Sequence, residues 1–199
     1  PSPGTMRTDP PREGPRHLLL GLGNPGERYR ETRHNAGFRV LEEVAKRRGA
    51  AFGREQCRSL VAQDGSLLLA LPQTYMNRSG YAARCLVELH ELPADNVLVV
   101  YDELALPLGK IRLRPKGGPA GHRGVESVLE NLRTDHVQRL RVGIAPEAEL
   151  AAEEVVDFVL SPFGADELEV VEEVVARAAD ACEIWLTDGI EAAMNQFNG

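Results

Sequence analysis

The chain has 199 residues, 43% of them hydrophobic and 27% charged, enough to build one sizeable core and ordinary for a globular domain. No apolar run approaches the roughly 20 residues of a membrane helix, and a formal net charge of −7 argues against a generic nucleic-acid binder. Cys57, Cys85 and Cys182 are odd in number, widely separated and without metal-ligand spacing. They therefore read as three buried free thiols of a reducing cytoplasm rather than a disulfide framework or a metal motif.

In chain order, Pro1 to Arg16 carries five prolines and lacks the apolar core of a secretory signal. It reads as a disordered tail, with Met6 a candidate start and a single domain over residues 17–199. His17 to Leu22 is an apolar run and the first predicted strand. A Gly/Asn/Pro loop ends it. Asn35 to Arg48 follows as a helix, with Phe38, Leu41, Val44 and Ala45 on one face and Gly49 as its stop. Arg58–Gln63 and Ser66–Leu71 read as a hairpin around Asp64-Gly65, closed by Pro72.

A helix is expected from Ser79 to about Leu89, then the most strand-like run of the chain, Val97 to Tyr101, ending on Asp102-Glu103. Gly109–Arg114 alternates Ile111 and Leu113 with Lys110, Arg112 and Arg114, the pattern of a half-exposed strand. The loop Gly117-Gly-Pro-Ala-Gly121 leads into a helix around Val125–Leu132, and Leu140–Ile144 is another strand. Ala165–Leu186 and Ile190–Phe197 close the chain as helices. Strands interleaved with helices predict a single three-layer α/β/α domain, and the hairpin makes its twisted sheet mixed.

Charge is unevenly spread. Pro107–Gly143 has a net charge of +5, whereas Ala145–Gly199 has a net charge of −13. Arg112, Arg114 and Arg141 come from strands that can lie side by side, and guanidinium binds phosphate as a planar fork. A solvated strand face accounts for the same arginines equally well.

Gly21-Leu-Gly23-Asn-Pro-Gly26 satisfies the spacing of a dinucleotide-binding loop. That loop needs a helix opening at its third glycine, and here Tyr29 to His34 intervene. His34 has stronger grounds for a chemical role: it adjoins a turn-rich loop, precedes a helix and has amides on both sides. Asp102, at the end of the strongest strand, is the best candidate to hold its ring. Asn77, in Thr74-Tyr-Met-Asn77-Arg-Ser79-Gly, is a second amide placed before a helix; it suits either a helix cap or recognition of a peptide backbone.

Taken in order, these stretches resemble the bacterial-type peptidyl-tRNA hydrolase family. The resemblance spans about Leu18 to Asn195 and rests on Gly21-Leu-Gly-Asn-Pro-Gly-x-x-Tyr29, Thr32-Arg-His-Asn35, Thr74-Tyr-Met-Asn77-x-Ser-Gly80, Asp102-Glu-Leu104, Gly121-His122 and Arg139-Leu-Arg-Val-Gly143. It implies a phosphorylase/hydrolase-like fold and an esterase that frees the peptide from the 3′ end of tRNA, acting as a monomer without metal or organic cofactor. It implies His34 as the base that activates water, Asp102 as its support, Asn24 in discriminating peptidyl from aminoacyl esters, and Asn77 on the reacting carbonyl. Tyr29, Tyr75, Met76 and His122 are expected around the tRNA end, and Arg112, Arg114 and Arg141 on tRNA phosphate. One departure stands out: Arg123 occupies the place of an asparagine in the family's Gly-His-Asn-Gly, and its longer cationic side chain is expected to reach a tRNA phosphate or ribose instead. A non-catalytic RNA-binding relative is therefore the alternative, and a nucleotide-linked dehydrogenase a distant one.

Overall fold

A computed structural model describes residues 13–199. Residues 1–12 of the expected tail, with the candidate start, lie outside the described residues. At the end of that tail Arg16 is held in place: its N–H donates to the Ser66 carbonyl (2.7 Å) and its own carbonyl accepts from Asn96 Nδ2 (2.8 Å).

Seven strands form one sheet: β1 (His17–Gly21), β2 (Arg54–Gln56), β3 (Ser59–Asp64), β4 (Leu67–Pro72), β5 (Val97–Pro107), β6 (Ile111–Arg114) and β7 (Gln138–Ala145). Their spatial order is β2-β3-β4-β1-β5-β7-β6. The four central strands β4, β1, β5 and β7 run parallel, and the β2–β3–β4 meander and β6 add antiparallel edges. The helices are α1 (Ala36–Arg47), α2 (Ser79–His90), α3 (Arg123–Leu132), α4 (Val155–Val159), α5 (Leu168–Asp188) and α6 (Ile190–Phe197).

The layers follow from the period of two along each central strand. Leu19, Leu69, Leu98 and Val100 belong to the core beneath α1, α5 and α6. Their neighbours Leu18, Leu20, Leu68, Val97 and Val99 belong to the core beneath α2 and α3. Helices cover both faces, which is why β1 and β4 read as unbroken apolar runs rather than alternating ones. Each such buried leucine contributes about 1.5–3 kcal/mol. Where α1 crosses β1 and β5 the backbones nearly touch: a Cβ on Gly37 would lie 2.3 Å from the Val100 carbonyl oxygen. Glycine at this position brings the start of α1 down onto the strand ends.

The α/β/α class and mixed sheet are as the sequence predicts, and the differences have local causes. Strand β2 has no apolar alternation to announce it, because Arg54-Glu55-Gln56 is an exposed edge supported by β3 alone. Strand β5 runs past Tyr101 to Pro107 because β7 continues to pair with it through Glu103. Helix α4 is only five residues long and had no predicted counterpart. The expectation of three free thiols is corrected: Cys57 and Cys85 form a disulfide, and only Cys182 is a free, buried cysteine. Separated by 28 residues in sequence, the two come together because Cys57 in the β2–β3 turn lies against α2, which carries Cys85. The cysteines thus lend no support to a reducing compartment.

Candidate active site

In a sheet whose strand order reverses around β1, ligands gather at the carboxyl ends of the parallel strands. The loops after β1 and β4, the Asp102–Leu104 stretch of β5 and the turns opening α1 and α3 meet there. They line a cavity of about 640 Å³, in the size range of a small-molecule site.

Its polar floor is built on Asp102. This carboxylate is almost fully buried (2% exposed) and has a histidine on each oxygen. His34 Nδ1 lies 2.8 Å from Oδ2, and His122 Nε2 lies 2.8 Å from Oδ1. The remaining ring nitrogens settle the proton positions. His122 caps α3, its Nδ1 accepting from the backbone N–H groups of Gly124 (3.1 Å) and Val125 (3.2 Å). A nitrogen facing two donors is an acceptor, so the His122 proton is on Nε2 and is given to Asp102. Asp102 accepts likewise from Nδ1–H of His34, leaving the Nε2 lone pair of His34 free at the cavity it lines.

Burial works against the charge of Asp102, but His34 and His122 with their hydrogen bonds prevail and hold its carboxyl well below the usual carboxylate range. Burial likewise presses the pKa of His34 down, and the charge and hydrogen bond of Asp102 outweigh it, so the net shift is upward. A helix N-terminus disfavours imidazolium, but the net direction at His34 is set by its carboxylate partner. His34, Asp102 and His122 also have the residue types of a metal site. The protons on His34 Nδ1 and His122 Nε2, however, stand where a metal would need lone pairs.

Two asparagines join the loops. Asn35 Oδ1 accepts from the Asn24 N–H (2.8 Å) and its Nδ2 donates to the Asn24 carbonyl (3.0 Å), tying the β1 loop to the His34 turn. Asn24 Oδ1 in turn accepts from the Met76 N–H (2.7 Å). Its Nδ2 bonds to no described residue and remains as a donor at the cavity. Tyr75, with φ +60°, forms the bend that presents this Met76 N–H.

Asn77 and Arg123 stand exposed on the cavity rim, and buried Met76 lines the wall between them and Asn24. Tyr75 lines the mouth, half-exposed, with Tyr29 edge-on to it at 6.4 Å between ring centres. Tyr29 thus supports the mouth from outside the lining. His122, expected on the tRNA end, is instead turned inward to Asp102 and α3.

The expected arginine strip is only partly free. Arg112 pairs in register with Arg141, so the two point to one side of the sheet as the sequence suggested. Arg141 is drawn off by Glu103, its Nε 3.1 Å from Oε2. Arg112 and Arg114 are half-exposed and form no ion pair among the described residues. Arg139, given no role from sequence, is buried and shapes the glycine loop, donating to the carbonyls of Gly118 (2.9 Å) and Gly117 (2.7 Å).

Sequence reasoning missed the opposite, apolar wall: Leu104 together with Val155, Val156, Val159 and Leu160. Valines at helical spacing, 155, 156 and 159, in an acidic segment were its only signal. The dinucleotide reading fails on geometry, since Gly26 leads into a short 3-10 turn, Glu27–Tyr29, and α1 opens only at Ala36.

The family model for peptidyl-tRNA hydrolase matches residues 18–199, nearly the whole domain. The chain belongs to the peptidyl-tRNA hydrolase family. It is 43% identical over 183 residues to the peptidyl-tRNA hydrolase of Methylacidiphilum infernorum, covering 92% of this chain and 97% of that protein. It is 45% identical to that of Carboxydothermus hydrogenoformans, with 91% and 97% coverage. The crystal structure of peptidyl-tRNA hydrolase from Acinetobacter baumannii superposes with a TM-score of 0.86 at 30% identity, covering 92% of this chain and 95% of that one. The family match takes in every residue that lines the cavity.

Proposed function

We propose that this chain hydrolyses the ester joining a peptide to the 3′ end of tRNA, with His34 as general base. The observation that carries the reading is the single free lone pair of the floor, Nε2 of His34, presented to the cavity by a carboxylate that is itself fixed from behind. A water bonded to Nε2 is deprotonated as it attacks the ester carbonyl. The imidazolium that forms is stabilised by Asp102, and its proton then serves the departing ribose oxygen. Such assistance contributes about 10²–10⁴-fold, and an ester needs less help from its leaving group than an amide does.

Asn24 supplies recognition. Because the Met76 N–H occupies its Oδ1, it can only donate into the cavity, through Nδ2. A donor there suits the carbonyl oxygen of a peptide bond and gives nothing to the ammonium of a free aminoacyl ester, which is the sense of discrimination that recycling of peptidyl-tRNA requires. Asn77, from the rim, is positioned to donate to the reacting carbonyl. Tyr75, backed by Tyr29, offers a face for the terminal base, and Met76 and His122 act as supports. Arg123 on the rim and Arg112 and Arg114 beyond it meet tRNA phosphate, while Arg141 contributes through Glu103. We take the acting unit to be a cytoplasmic monomer over residues 17–199.

The test is release of the N-blocked amino acid from an N-acyl-aminoacyl-tRNA by wild type and by His34→Ala. Wild type is expected to turn over, and the variant to lose about 10²-fold or more. An inactive wild type, or a variant that keeps most of its activity, would overturn the reading. Binding of tRNA with no release from the N-acyl-aminoacyl-tRNA would favour the non-catalytic alternative.

A further inference from the structure

Arg33 stands next to His34 in the turn before α1, and it is nearly buried (8% exposed). Its guanidinium points away from the cavity floor, toward the segment that follows α4. Nη1 donates to Ser161 Oγ (2.5 Å) and to the Pro162 carbonyl (2.6 Å). Nη2 forms an ion pair with Glu167 Oε2 (2.9 Å), the same oxygen that accepts the Gly164 N–H (2.8 Å). The plane lies over Phe158 of α4, 4.3 Å from its ring centre, while Nε is buried without an acceptor. The backbone joins in: the Arg33 N–H donates to the Ser161 carbonyl (3.0 Å), and Thr32 forms an isolated bridge with Pro162.

We propose that Arg33 is a positioning residue for the hydrolysis: one guanidinium clamps the residue 158–167 segment onto the histidine turn, so that the apolar wall of the cavity and the aim of His34 are set together. The inference rests on the proposed esterase reading. Two features separate the clamp from ordinary packing. A buried cation with one N–H unanswered is a costly way to fill space, and an apolar side chain would join the turns more simply. Arg33 also bridges one junction: its side-chain contacts fall on the 158–167 segment, while its backbone runs straight into His34. Phe158 belongs to the helix that carries Val155, Val156 and Val159 into the cavity, and the adjacent His34 is fixed to Asp102. Lysine could not reproduce it, since a single ammonium cannot span Ser161, Pro162 and Glu167 as a planar fork does.

Loosening the clamp should let His34 drift from Asp102 and let the wall retract. A displacement of about 1 Å at the base is worth roughly 10²-fold in rate. The experiment compares wild type, Arg33→Lys, Arg33→Gln, Glu167→Gln and Ser161→Ala. It follows kcat and KM on an N-acyl-aminoacyl-tRNA, thermal unfolding, and titration of the His34 ring by NMR. His34 faces Asp102 and His122 directly, and no member of the variant set alters either.

For Arg33→Lys we expect kcat to fall by about 10²-fold and KM to rise. We also expect the His34 titration to slide down toward the ordinary histidine value of about 6.5. Glu167→Gln and Ser161→Ala should shift in the same direction by less. A merely structural arginine would lower the unfolding temperature and leave the titration and kcat of the folded protein at wild-type values; that result overturns the proposal. If the Arg33 variants fail to fold, Glu167→Gln and Ser161→Ala decide on the same readouts. An inactive wild type would count against the esterase reading, while the His34 titration, which needs no turnover, would still judge the clamp.

Discussion

His34 and His122 occupy mirrored stations: each sits in a turn that opens a helix, and each bonds one oxygen of Asp102 at 2.8 Å. Their second nitrogens differ. That of His122 is claimed by two backbone N–H groups at the head of α3, whereas that of His34 opens on the cavity. One histidine is therefore locked as a donor, and the other keeps a lone pair to use. On the proposed reading, the role of each imidazole is set by the partner of its far nitrogen. The carboxylate they share makes no distinction between them.

The sharpest way to break this comparison is Asp102→Asn. The fixed Nε2–H of His122 demands an acceptor, so the amide must turn its oxygen toward His122 and its NH₂ toward His34. His34 Nδ1 then becomes the acceptor, its proton moves to Nε2, and the base is lost without any change of shape. An activity loss of order 10⁴ is expected, the scale seen when a carboxylate that orients a catalytic histidine is replaced by its amide. Adding His122→Ala frees the amide to rotate, and the double variant should recover part of the lost rate. A double variant no better than Asp102→Asn alone would show that His122 does not dictate the orientation.

In the wild type, His34 titrates above the ordinary histidine value because of Asp102. Stability from this pair is therefore complete below about pH 6.5 and is lost as pH rises through the raised pKa. A base needs the deprotonated ring, so kcat/KM should climb across that same interval. Activity and stability should move in opposite directions there. An acid limb of kcat/KM centred below 6.5 would contradict the pairing.

A milder prediction concerns His122→Ala alone. It removes a helix cap worth about 1 kcal/mol and one of the two bonds to Asp102, yet leaves the His34 pair in place. We expect a lower unfolding temperature and a rate loss of about tenfold, small beside that of His34→Ala. Equal losses in the two variants would erase the distinction between the histidines.

The unequal visibility of these parts in the sequence has physical causes. His34, Asp102 and Asn24 were legible because each follows an apolar run or opens a helix, and those boundaries carry strong periodicity and turn signals. His122 was seen only as a site neighbour, since its inward turn depends on the start of α3 meeting the end of β5. The supports Arg33, Asn35 and Arg139 were quoted within motifs without roles, because each reaches a partner that sequence spacing cannot reveal: 134 residues separate Arg33 from Glu167. The same holds for the disulfide and for the apolar wall. Fold class was recoverable because it follows from short apolar runs that recur between helical patterns and turn signals, while the wall depends on where a short, weakly patterned helix comes to rest.

The arginines extend the comparison beyond the cavity and should give the smallest effects. Arg141 resembles His122, engaged within the protein by Glu103, and Arg112 and Arg114 resemble His34 in being left free to act, here through their charge. Each phosphate contact removed lowers the salt slope of binding by about 0.7–0.9. Arg112→Glu and Arg114→Glu should each weaken binding of deacylated tRNA and flatten its salt dependence by about that amount, with kcat unchanged. Arg141→Gln should leave the slope as it is and instead disturb the outer part of β5, where Glu103 also accepts the Ala105 N–H (3.0 Å). Equal flattening by all three substitutions would mean that Arg141 leaves Glu103 for the phosphate when tRNA arrives, and the strip would then act as one clamp of three cations instead of two free charges beside a spoken-for third.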